Sequence, residues 1–82
     1  MVTYAYRKTR GRQHQSGGAT LTFEVWKIVR NVPEYLGETK ENSASYRGDD
    51  PTVARYLARR EGYKLTNRGY DLVRKDVKII KI

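Results

Sequence analysis

The stretch Ala19-Thr20-Leu21-Thr22-Phe23-Glu24-Val25-Trp26-Lys27-Ile28-Val29-Arg30 decides the fold. Side chains on a strand alternate between faces, so Leu21, Phe23, Val25 and Val29 share one side while Thr20, Thr22, Glu24, Trp26, Ile28 and Arg30 share the other. Thr, Phe, Val, Trp and Ile suit a pleated surface, and a helix would mix the two sets. The first set is expected to face a core. Trp26 and Ile28 then stand on the side that should be wet. Either the helix or the C-terminal segment covers them, which is the favoured expectation, or they form a contact patch.

Working outward, Asn31-Val32-Pro33 reads as a turn, since Pro33 has no donor for a ladder. Tyr35 to Lys40 follows as a strand with a bulge at Gly37, and Ser43 to Tyr46 either continues it or forms a fourth short strand. Gly48-Asp49-Asp50-Pro51 marks a helix start, with Asp50 accepting from first-turn amides and Pro51 in the first helical position. The predicted helix covers about 51–61 and stops at Gly62. Its period places Val53, Tyr56 and Leu57 inward and Arg55 with Arg59 on the opposite side, while Arg60 would have to snorkel.

Beyond the helix, Tyr63 to Thr66 and Tyr70 to Arg74 flank Asn67-Arg68-Gly69, a hairpin signal whose competitor is a short helix over 70–75. Asp76 to Ile82 is an edge-strand candidate, its lysines discouraging stacking. On the N-terminal side, Thr3 to Thr9 alternates, with Tyr4 and Tyr6 on one face and Thr3 and Ala5 on the other. The expected fold is a single α+β domain over 1–82. An antiparallel sheet of about four to five strands carries one helix on one face, in the order β-β-β-α-β(-β). This layout is similar to small sheet-reading DNA-binding domains of the integrase N-terminal and AP2 kind. The similarity is one of element order and carries no contact residue over.

The 82 residues carry 17 Lys and Arg against 9 Asp and Glu, a formal net charge of +8. Such a balance in so short a chain points to a polyanionic partner. Every acid lies at Glu24 or later, so the positive field is steepest around Arg7-Lys8-Thr9-Arg10-Gly11-Arg12-Gln13-His14-Gln15-Ser16-Gly17-Gly18. That acid-free run is expected to form a flexible basic loop at about 8–18. There is no cysteine, hence no disulfide or thiolate site, and no run approaches the roughly 20 apolar residues of a membrane span. A cytoplasmic location without membrane contact is the expectation.

Catalysis is hard to build from this inventory. His14 has no structured partner, the adjacent Asp49 and Asp50 fit capping better than metal ligation, and no phosphate-loop, dinucleotide or metal-ligand motif is present. The expectation is a non-enzyme with no cofactor and no metal. Nucleic acid is the favoured partner: Arg7, Lys8, Arg10 and Arg12 would hold phosphates, Lys27, Arg30, Arg55 and Arg59 would add secondary contacts, and Tyr4, Tyr6 and Trp26 would stack bases. The alternative is a protein-interaction module, an inhibitor or accessory subunit docking on an acidic surface through Trp26, Ile28 and Tyr46. The exposed C-terminal strand leaves pairing with a symmetry mate open.

Overall fold

In the computed structural model, which describes residues 1–13 and 18–82 and the side chains of residues 1–9 and 18–82, the chain is an α+β fold. A mixed sheet is built from β1 (Val2–Gln13), β2 (Ala19–Val29), β3 (Val32–Asn42) and β4 (Val77–Lys81), in the spatial order β3-β2-β1-β4. One helix, α1 (Asp49–Glu61), packs on one face. The first three strands pair antiparallel, whereas β4 runs parallel to β1. The α1 crossover accounts for that direction: it returns the chain to the end of the sheet where β1 begins, and Val2 is paired with Val77.

The alternation read in β2 sets the layers, except at Val29, which was expected to face the core but is 38% exposed because it lies at the strand end beside the turn, beyond the helix. Leu21, Phe23 and Val25 are buried with Tyr4 and Tyr6 of β1 beneath Val53, Ala54 and Leu57 of α1. Tyr63, Leu65 and Leu72 close this core from the segment after the helix. Lys27 continues the same parity and reaches the helix end at Glu61.

Several boundaries differ from expectation. β1 extends to Gln13, so Lys8 to Gln13 belong to the ladder with β2 and not to a projecting loop. The further part of the expected loop, including His14, lies outside the described residues. The β2–β3 reversal falls on Arg30 (φ 53°) and Asn31 (φ 64°), one step before the expected turn. Two consecutive positive φ values match the right-handed twist of the flanking strands. Pro33 therefore sits inside β3, tolerated because β3 is an edge. The bulge expected at Gly37 is present as a register shift opposite Val25, with Gly37 at φ 147°.

The helix begins earlier than predicted. Gly48 occupies the N-cap without a side-chain cap, and Pro51 sits third, where its missing donor is still unused. Gly62, at φ 79°, ends the helix in the left-handed region as expected. Ser43–Ser45 is a 3-10 turn and not a strand. The predicted hairpin after the helix reduces to one bridge, Leu65 with Leu72, and 70–75 is neither strand nor helix. Arg60 is exposed and has no need to snorkel.

Candidate functional site on the open sheet face

The helix side engages four of the eight cations that sequence reasoning assigned to phosphate. Asp49, first in α1, lies over β1 and accepts hydrogen bonds from the hydroxyls of Tyr6 (3.0 Å) and Tyr46, with Lys8 Nζ at 3.1 Å and Lys81 Nζ at 3.8 Å. Burial alone would push the Asp49 carboxyl up, but hydrogen bonds from Tyr46, Lys8 and Tyr6 outweigh it and hold the group below the usual carboxylate range. Burial, then the bond to Asp49, drives the Tyr6 phenol far above its ordinary value. Hydrogen bonds that Lys8 donates to Tyr46 and Asp49 raise its pKa, so it stays charged and tied down.

The other end of the helix repeats this chemistry. Glu61 accepts from the Tyr4 hydroxyl at 3.1 Å, Tyr4 and Tyr63 hydroxyls meet at 2.8 Å, and Lys27 Nζ stands 3.9 Å from Glu61. Burial first, then the Tyr63 and Glu61 contacts, keep the Tyr4 phenol protonated far past its usual range. Arg55 donates to Glu41 of β3 at 2.7 Å, and Arg59 to the Thr39 hydroxyl at 3.4 Å. These contacts clamp the helix to the sheet, so the two arginines do not form a free stripe.

Tyr4 and Tyr6 are 0% and 4% exposed, which removes both as base-stacking residues. Tyr46 is half-buried, its ring stacked 6.4 Å from Phe23 and capped by Lys8 at 4.6 Å, so it serves packing before contact. The side chains of Arg10 and Arg12 lie outside the described residues, although their backbone continues β1. The eight expected phosphate contacts are therefore not gathered on one surface. Lys8 and Lys27 lie on the sheet face under the helix, Arg55 and Arg59 reach from the helix to β3, Arg7 faces the opposite side, and Arg30 stands at the β2–β3 turn.

That opposite side holds the other candidates. Register places Thr3, Ala5, Arg7 and Thr9 of β1 beside Thr22, Glu24, Trp26 and Ile28 of β2. Pro33, Tyr35, Glu38 and Lys40 of β3 and Lys78 and Ile80 of β4 complete the face. The expected cover over Trp26 by the helix or the C-terminal segment does not occur: the helix packs on the other face, and β4 joins the sheet edge-on. Trp26 is part-buried; among the described residues Tyr35 stands edge-on at 5.5 Å and 61° and the Arg7 guanidinium 6.0 Å from its ring. Tyr35 is 54% exposed. Some burial and the nearby Glu38 and Glu24 raise its phenol, so it is neutral at pH 7.

Charge on this face is mixed. Arg7 donates through Nε and Nη2 to one Glu24 oxygen at 3.0 and 2.6 Å. Glu24 and Glu38 are cross-strand neighbours. Lys40, Lys78 and Arg30 are exposed and make no ion pair with a described residue. The arrangement offers two aromatic surfaces, an apolar floor of Ala5, Ile28 and Ile80, and cations around the rim.

Sequence reading identified Trp26, Ile28 and Arg7 here but missed Tyr35, Lys40, Lys78 and Ile80. A signal for Tyr35 existed: a two-residue turn at Arg30-Asn31 pairs Val29 with Val32 and, counting back, Trp26 with Tyr35. Among the described residues no group of three or more His, Asp or Glu is placed to hold a metal ion, and no helix is long and apolar enough to cross a membrane. No protein-family model, curated protein or solved structure matches the chain.

Proposed function

We propose that the chain is a non-catalytic nucleic-acid-binding domain that stacks bases on the open sheet face. The observation carrying this reading is the pairing of Trp26 with the largely exposed Tyr35 on the face that α1 leaves open, with Arg7 against the tryptophan ring. Every base has a π-face, so such a platform is tolerant of sequence and prefers unpaired strands. Lys40, Lys78 and Arg30 are free to meet phosphates, and the basic run Arg7 to Arg12 lies within β1 of the same sheet. Net charge adds a long-range attraction to the same partner.

The test is titration of fluorescent single-stranded DNA and RNA, with a duplex for comparison, at several salt concentrations. With three or four phosphate contacts, log K should fall against log salt with a slope of roughly −2 to −3. Trp26→Ala should weaken binding by about 1–3 kcal/mol per stacked base while the fold is kept. Salt-independent binding, or no response of the tryptophan fluorescence to oligonucleotide, would overturn the reading. A second reading, a protein partner anchored on Trp26, Ile28 and Tyr35, is favoured by Glu24 and Glu38, which lower the positive charge of this face. It expects Trp26→Ala to abolish capture of a protein while oligonucleotide binding stays weak throughout.

A further inference from the structure

The sheet has two edges, and they are protected unequally. β3 carries Pro33, which has no donor, the Leu36–Gly37 bulge, and the charges Glu34, Glu38, Lys40 and Glu41. Arg55 and Arg59 also reach across to its Glu41 and Thr39. β4 is Val77-Lys78-Ile79-Ile80-Lys81, without proline, bulge or acid. Such an edge is a template for another strand unless something blocks it.

Hydrogen-bond parity shows which groups it offers. The Val2 amide donates to the Asp76 carbonyl and the Ile82 amide to the Tyr6 carbonyl, each at 2.9 Å, and the register between them advances without interruption. In a parallel ladder alternate residues bond the neighbour, so Lys78 and Ile80 turn their backbone groups to β1. Val77, Ile79 and Lys81 point theirs outward.

We propose that this edge pairs antiparallel with β4 of a second copy, about a two-fold axis centred on Ile79. In that register Ile79 faces Ile79 of the second copy and Val77 faces Lys81, so every outward donor and acceptor of the strand finds a mate. Lys78 falls opposite Ile80 of the second copy, and no lysine meets a lysine. The adjacent register centred on Lys78 sets two ammonium groups against each other. The one centred on Ile80 sets Val77 beyond the end of β4 in the second copy and shortens the ladder.

Side-chain space agrees with this arrangement. Beside β4 on the helix side is an open cleft of about 240 Å³, floored by Ala54, Leu72, Val77 and Ile79 and rimmed by Asp50, Asp71, Arg74 and Lys75. Both signs of charge on one rim are what an isologous contact uses, because the same surface must complement itself. The result is a continuous sheet running from β3 to β3 of the second copy, with both Trp26 faces on one side. It holds whatever the open face binds.

The experiment is sedimentation of the whole chain from micromolar to millimolar concentration, with amide hydrogen exchange measured on the same samples. The expected result is a reversible dimer, with the Val77, Ile79 and Lys81 amides protected as concentration rises. Ile80→Lys, which places a lysine against Lys78 of the second copy, should weaken association more than tenfold. Ile80→Glu removes the same apolar group and should keep or tighten it, and adding Lys78→Glu to Ile80→Lys should restore the dimer. A monomer at every concentration, edge amides whose exchange ignores concentration, or folded Lys and Glu variants that weaken association equally would overturn the proposal.

Discussion

The two faces of this sheet are made from the same strands and end in opposite states. On the helix side Tyr4, Phe23, Val25, Val53 and Leu57 are fully buried, and the polar groups at both helix ends are matched: Asp49 with Tyr6, Tyr46 and Lys8, Glu61 with Tyr4 and Lys27. On the open side Trp26, Tyr35 and Ile28 meet, among the described residues, each other, Arg7 and their strand neighbours. α1, the one α-helix among the described residues, closes only one face. On the other face Trp26 is part-buried beside Ala5, which is 1% exposed, while Tyr35 remains 54% exposed, and the reading proposed above rests on that difference.

The largest effect that can break this comparison is in stability. Phe23→Ala empties a fully buried site and should cost about 3–5 kcal/mol, whereas Trp26→Ala should cost clearly less in urea unfolding. Equal losses would mean that the open face is as much a core as the other. A mid-sized effect concerns the helix clamp. Asp49→Asn removes the charge facing Lys8 and part of the acceptor capacity used by Tyr6 and Tyr46, and should cost about 1–2 kcal/mol at pH 7.

The sign of its pH dependence follows from the depressed Asp49 pKa in the folded state. The stabilisation is present above the unfolded carboxylate value of about 3.9 and is lost as pH falls through the lower folded value. The variant should therefore differ from the wild type at neutral pH and converge toward it in acid. Asp76, also held low by its hydrogen bonds from Arg74, titrates in both proteins and drops out of the difference. The smallest effect is Glu24→Gln on the open face. Arg7 is more than half exposed, so stability should change by less than about 1 kcal/mol, while oligonucleotide affinity rises as the guanidinium is released. A fall in affinity would place Glu24 itself in the contact.

Legibility followed the range of the interactions. The alternation in Leu21, Phe23 and Val25, the bulge at Gly37, the helix stop at Gly62 and the α+β order were readable because each depends on neighbours in the chain. The length of β1 was not: Gly11 and the run of charges look like a loop, yet pairing with β2 carries the strand to Gln13. The partners of the cations were not legible for a similar reason. Lys8, Lys27 and Arg55 find acids at Asp49, Glu61 and Glu41, none of them close in sequence. Tyr4 and Tyr6 were rightly grouped on one face, but nothing local says which face the helix will take.

By itself, then, the sequence determined the β-β-β-α-β order, the inward placement of Leu21, Phe23 and Val25, though not of Val29, and a charge of +8. These follow from side-chain periodicity, from the φ preferences of Gly and Pro, and from composition, all of which act within a few residues. The tertiary structure alone decided which cations stay free, that Tyr35 joins Trp26, and that β4 runs parallel to β1 with one edge unpaired. Those outcomes depend on strand register and on the side where a single helix lands, and both are settled by contacts between residues that the chain holds far apart.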